Sequence, residues 1–270
     1  MKRIACFITG GYTETNAMKA FLRKINSRVQ YIQLCPTGKR KRRSQNGNHH
    51  IEMLDPSTSG LTGQSLIRYI LQYIDQETFQ QEKYDAILIE DDKDNNCLGI
   101  ADDGTSTHLQ EEWNSYQAKI IDQIHETIPQ IPIMFLFAAP EIEAWFIADW
   151  ENSFGSIYKE KLGSDNDTFK ILLKKDVDAQ LLTNRYINRI EEYGYFDGQY
   201  KKLSEELQTL LQSGGDSIKD HFPQYPDYNL KYSKRIEGEN MLFKIDPDNV
   251  KRECHFIFQD GFRSLKYFDE

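Results

Sequence analysis

YDAILIEDDKDNN, residues 84–96, joins a short apolar run to four carboxylates, Glu90, Asp91, Asp92 and Asp94, placed within five positions. An apolar run of this length, bounded by polar residues, reads as a strand buried on both faces, the form that strands take in parallel sheets. In open α/β sheets ligands bind just beyond the carboxyl ends of the strands, so these acids fall where a site would lie. Two readings of them stand. Like charges this close raise one another's pKa unless a cation compensates them, and a divalent hard cation is the natural compensator. Alternatively, the segment is a solvated acidic loop.

Working outward, the first half of the chain alternates. RIACFI at 3–8 reads as a strand, the turn Thr9-Gly10-Gly11 follows, and Met18, Phe21, Leu22 and Ile25 mark one face of a helix. VQYIQL at 29–34 reads as a second strand, and Leu66, Ile67, Ile70, Leu71 and Ile74 recur at helical spacing. The acid-tipped strand at 86–89 comes next, then a long helical region over 108–128, and after Pro129 and Pro132 a fourth strand, IMFLF at 133–137. Strands alternating with helices imply an α/β fold, a mainly parallel sheet flanked by helices on both faces. Beyond residue 149 strand signals fade, while tyrosines and charged residues become frequent. The expected organisation is a strand-bearing domain over 1–150 and a largely helical appendage over 151–270, with HFIF at 255–258 returning a strand to the sheet.

Composition narrows the class. A chain of 270 residues, 39% hydrophobic and 12% aromatic, buries a core without covalent staples. Cys6, Cys35, Cys97 and Cys254 form no CxxC pair, MKRIACFITGG has a basic start but an apolar run too short for a secretory signal, and no run approaches the roughly 18 apolar residues of a membrane span. A soluble cytoplasmic protein is expected. The net charge of −9 argues against a surface that coats nucleic acid everywhere. Locally the sign reverses: GKRKRRSQNGNHH at 38–50 sets Lys39, Arg40, Lys41, Arg42 and Arg43 side by side. Such a run neutralises nucleic-acid phosphates, or forms a solvated loop or a contact for an acidic partner. The adjacent His49 and His50 suit solvent better than a shared metal.

Further acids follow other strands: Glu14 after the first, Glu141 and Glu143 after the fourth. Each alone is explained as an acid favouring a helix N-terminus. Together with Glu90, Asp92 and Asp94 they would line one rim of a parallel sheet, a candidate metal-ligand set. Asp92 with Asp94, or Glu90 with Asp92, has the two-residue spacing that puts side chains on one side of a strand end. Trp145 and Phe146 read as helix residues packed on the sheet rather than as base-stacking platforms.

Three segments, TGGYTETNAMKAFL at 9–22, IEDDKDNN at 89–96 and PEIEAWFIADW at 140–150, resemble the Toprim-type catalytic fold of OLD-family and RloB-like nucleases. The likeness is greatest to small bacterial relatives with an E-x-E-A-W motif, and it covers roughly the first 150 residues. The resemblance implies a divalent-metal phosphodiesterase acting on DNA or RNA with Mg²⁺ or Mn²⁺, in anti-phage defence beside an ABC- or AAA-type ATPase. It assigns catalysis to Glu14, Asp92, Asp94 and Glu143, with Glu141 as the alternative to Glu143. Lys231, Lys234 or Arg235 would then supply a cation near the phosphate. Gly10 stands where the family pattern has its first glutamate. Either Glu90 supplies the missing acid, or the remaining acids suffice for one metal, or the chain is a catalytically silent binding or regulatory module.

Overall fold

Along each apolar run successive side chains turn to opposite faces, and both faces are buried: Ile4, Cys6 and Ile8 enter one hydrophobic cluster, Ala5 and Phe7 another. The computed structural model describes residues 1–9, 11–36, 61–93, 106–158, 165–195, 201–213, 216–222, 232 and 234–270. Among these residues, strands β1 (Arg3–Ile8), β2 (Gln30–Cys35), β3 (Ala86–Asp92) and β4 (Ile133–Ala138) form one parallel sheet in the order β2-β1-β3-β4. The expected α/β architecture with helices on both faces is therefore present. β3 runs three residues past the expected Ile89, and its register pairs Ile8 with Glu90 and Asp92 with Ala138. Glu90, Asp91 and Asp92 are strand residues, not loop residues.

From β1 the chain crosses to β2 on one side, then returns past β1 to β3. Right-handed crossovers in opposite directions place their helices on opposite faces. Helix α1 (Tyr12–Ile25) packs Met18, Phe21 and Leu22 on the first face. Helices α2 (Gly63–Ile74), α3 (Glu77–Gln81) and α4 (Ser106–His125) cover the second with Leu66, Ile70, Phe79, Trp113 and Ile124. The reversal opens a crevice at the carboxyl ends of β1 and β3, where doubly wound sheets bind their ligands.

The rest of the first face is covered by the second half of the chain. It contains α5 (Glu143–Ala148), α6 (Phe154–Ile157), α7 (Asn166–Asp176) with a π-helical continuation Val177–Leu182, α8 (Thr183–Tyr186), α9 (Leu203–Ser213) and α10 (Asp216–His221). A π turn at Lys234–Gly238 then leads into α11 (Glu239–Lys244), α12 (Pro247–Glu253) and α13 (Ile257–Lys266). Met241, Val250 and Phe258 share one core with Ile4, Leu88 and Leu136, so the packing continues across residue 150. The expected boundary marks the end of the strands, not a break in the core. Trp145 packs as expected, stacked on Phe21 at 5.3 Å and edge-on to Phe258 at 4.9 Å.

The strand expected at 255–258 is absent; it is corrected to the start of α13, which lies across β4, and His255 is exposed. The physical reason is periodicity. Ile257, Phe258, Gly261, Phe262 and Leu265 are buried at helical spacing, and the Glu191 carboxylate accepts the Phe256 and Phe258 N–H groups, each at 2.8 Å, capping the helix start from a distance. Burial pushes that carboxyl up to about 7, although the backbone donors counter the shift.

Gly261 permits the close approach of α13. A Cβ there would overlap the Phe135 carbonyl oxygen and lie 3.0 Å from Leu136 Cα, backbone that a side-chain rotation cannot move. Gly261→Ala is expected to cost about 1–3 kcal/mol by overpacking. Urea unfolding of the variant measures it, and an unchanged midpoint would contradict this packing. Among the described residues no helix is long and apolar enough to cross a membrane.

Candidate functional site

Alternation along β3 sends Glu90 and Asp92 to the first face with Leu88, and Asp91 to the second. Their exposures, 0% for Glu90, 1% for Asp91 and 8% for Asp92, rule out a solvated acidic loop at these three positions. Asp91 is an anchor. It accepts the Gly63 N–H at 2.5 Å, where α2 begins, and the Asp92 N–H at 2.9 Å. Glu90 accepts the Thr9 N–H at 3.2 Å from the end of β1.

Glu14, in the first turn of α1, is buried and folds back over Gly11, where a Cβ would overlap its carboxylate. Glu143 opens α5 and accepts the Tyr232 hydroxyl at 2.8 Å. Asp92 accepts the Ile142 N–H at 2.9 Å on one oxygen and faces the Lys234 ammonium at 3.3 Å with the other. Lys234 Nζ also lies 3.5 Å from Glu143 Oε2. The Lys234 carbonyl accepts the Thr13 hydroxyl at 2.9 Å, which fixes this turn on α1. Glu14, Glu90, Asp92 and Glu143 thus lie together, with Lys234 among them.

Glu141 has a different engagement. Its two oxygens accept the Ser204 N–H at 2.8 Å and the Ser204 hydroxyl at 3.1 Å, at the start of α9. Asp149, which closes the PEIEAWFIAD segment, is a structural tie. It accepts the Asp246 N–H at 2.6 Å and the Asn249 amide at 3.1 Å, joining the end of α5 to the start of α12, and also holds Asn152. Asp94, Gly10, Lys231, His49, His50 and the basic run Lys39, Arg40, Lys41, Arg42 and Arg43 lie outside the described residues, as does the Arg235 side chain.

The charges are mutually strained. Burial pushes the Glu14 carboxyl up to about 7, with Lys234 countering and Glu143 adding to the shift. Burial, then Glu14, Asp92 and Asp91, hold Glu90 well above the usual carboxylate range. Glu141 is raised by burial and Glu143. For Lys234 burial acts downward, but Asp92, Glu143, Glu14 and Glu141 outweigh it and hold the ammonium well above its ordinary value. Burial and Glu143 raise the Tyr232 hydroxyl.

Both Glu14 oxygens, Glu90 Oε1 and Glu143 Oε2 are buried without a hydrogen-bond donor. Leaving buried acceptors unpaired is costly, and a hard cation or a phosphate-bound cation is the chemistry that such oxygens accept. Carboxylate oxygens are the donor type that Mg²⁺ and Mn²⁺ take. Among the described residues no three His, Cys, Asp or Glu side chains are spaced to hold an ion as they stand, and the Lys234 ammonium faces both Asp92 and Glu143.

No family model, no curated protein and no solved structure matches the chain. The function must be argued from the site. Sequence reasoning located the acids but not Tyr232, which lies 89 positions from Glu143. It also missed the structural duty of Asp149. The only local signal for the first was the polar-aromatic context LKYSKR, which equally suits solvated surface.

Proposed function

We propose that the chain is a divalent-metal-dependent phosphodiesterase of Toprim-like type that acts on DNA or RNA. The observation that carries this reading is the set of buried, donor-less carboxylate oxygens on Glu14, Glu90 and Glu143, gathered beside Asp92 at the switch point of the sheet. Glu14, Glu90, Asp92 and Glu143 would hold the ion, joined by Asp94, the second acid of the resemblance. Bound Mg²⁺ or Mn²⁺ supplies Lewis-acid polarisation of the phosphoryl group and lowers the pKa of water.

The chain's own residues do the rest. Tyr232 orients Glu143, the Ile142 N–H orients Asp92, and Lys234 places a positive charge where a phosphate would approach the carboxylates. Lys39, Arg40, Lys41, Arg42 and Arg43 would grip neighbouring phosphates along the strand. An ABC- or AAA-type ATPase partner and a role in anti-phage defence belong to the same proposal. A second reading, a Toprim-like module that binds without cutting, is favoured by Gly10 and by the Lys234 contacts with Asp92 and Glu143.

The test is cleavage of plasmid, single-stranded DNA and tRNA in Mg²⁺ or Mn²⁺. The protein is compared with the Asp92→Ala, Asp94→Ala double variant, each with and without a candidate ATPase. Loss of several kcal/mol of charge stabilisation is expected to slow the variant on the order of a hundredfold or more. Cleavage that survives the double substitution would sink the site assignment. Absence of cleavage in every arm favours the binding module.

A further inference from the structure

We propose that the Lys234 ammonium holds a cation position of the acidic pocket, so that a divalent ion binds there in competition with Lys234. The inference rests on the metal-dependent reading above and adds a regulatory element to it.

Three observations carry it. First, Asp92 and Glu143 are each bound to a protein donor through one oxygen, the Ile142 N–H and the Tyr232 hydroxyl, while the other oxygen of each faces Lys234 Nζ at 3.3 and 3.5 Å. Both distances exceed the roughly 2.7–2.9 Å of a tight charge-assisted bond, so the ammonium is shared between the two acids rather than locked to one. Second, the Glu14 oxygens and Glu90 Oε1 are buried and take no hydrogen bond from it, so one ammonium leaves much of the pocket uncompensated. A divalent ion, with more charge and more coordination positions, serves these oxygens better.

Third, the Lys234 side chain retains 32% of its surface exposure, which gives the ammonium a route outward. Its backbone stays on α1 through the Thr13 hydroxyl, and Gly238 one turn later lies so close to Thr13 that a Cβ would overlap it. The anchor is fixed while about a third of the side chain meets solvent. A long flexible lysine whose backbone is held and whose side chain is partly open to solvent can swing its head outward without moving the backbone. The ammonium thereby compensates part of the pocket without metal, and filling it with a divalent ion requires the ammonium to leave.

Titration of the full chain with Mn²⁺, read as the loss of the free-ion signal in electron paramagnetic resonance, tests the competition. Lys234→Met is expected to bind Mn²⁺ at least about tenfold more tightly than the wild type, because a repulsive unit charge at contact range is removed. Lys234→Arg, which keeps the charge, should stay close to the wild type. In the wild type, amine labelling of Lys234 read by mass spectrometry should rise on saturation with Mn²⁺, a measurement that needs no variant to fold. Equal or weaker binding by Lys234→Met, or unchanged labelling in the Mn²⁺-saturated protein, overturns the competition. Mn²⁺ binding that is absent in every form, or undiminished by Asp92→Ala, instead overturns the metal reading on which it rests.

Discussion

Glu90→Gln is expected to make the metal-free protein more stable than the wild type, and increasingly so as pH rises. Glu90 is fully buried, has one oxygen without a donor, and lies beside Glu14, Asp92 and Asp91. Its folded-state pKa therefore lies above the ordinary glutamate range. An acid raised in this direction contributes stability that is fully present below its unfolded pKa and is lost as pH climbs toward the folded value. Glutamine does not titrate, so the gap between variant and wild type widens from near pH 4.5 by about 1.4 kcal/mol per pH unit until the folded-state pKa is reached.

The amide also fits the place. Its oxygen can accept the Thr9 N–H, and its NH₂ offers a donor to the neighbouring carboxylates. Urea unfolding at pH 5 and pH 8 measures the difference, and an equal gap at the two pH values would refute the buried-acid account. Glu191, raised to about 7, titrates in both proteins and does not enter the comparison to first order. The cost should fall on binding: Mn²⁺ is expected to raise the melting temperature of the wild type and to raise that of the variant much less. Higher stability coupled to weaker ligand binding is the behaviour of a site residue, since functional sites hold groups that the fold alone would not choose.

Asp149→Ala is expected to act in the opposite way, with a loss of about 1–3 kcal/mol. Removing the carboxylate leaves the part-buried Asp246 N–H and the amides of Asn249 and Asn152 without their acceptor, and it releases α12 from α5. Those helices bear on the core of the first face, where Val250 packs with Trp145 and Phe258. The variant should unfold at lower urea concentration, while its folded fraction binds Mn²⁺ as the wild type does. A stable variant with weakened Mn²⁺ binding would move Asp149 into the site. The paired outcomes separate two kinds of acid in the same region, one held by donors and one left without them.

The strands were legible because burial on both faces demands nearly unbroken apolar runs: RIACFI and IMFLF can satisfy no other environment as well. The acids at their carboxyl ends were legible for a related reason, since parallel strands bring those ends to one rim whatever the order of pairing. Charge spacing suggested that Glu90 and Asp92 share a side, and the alternation of β3 puts them there.

Local pattern did not reach contacts made across great chain separation. HFIF satisfies both a strand and a helix over four residues, and only the burial of Gly261, Phe262 and Leu265 further on, together with the Glu191 cap, selects the helix. Glu141 and Glu143 are indistinguishable in PEIEAW, yet Ser204 takes the first and Tyr232 and Lys234 face the second.

Residue types and their periodicity therefore settled the parallel α/β sheet and the rim on which acids collect, because side-chain alternation and burial are local constraints. Which acids face a cation, and that Lys234 is the cation they face, was settled by the folding of the helical second half over the first face of the sheet. Electrostatic partners are chosen by distance in space, and no spacing along the chain encodes the 142 positions that separate Asp92 from Lys234.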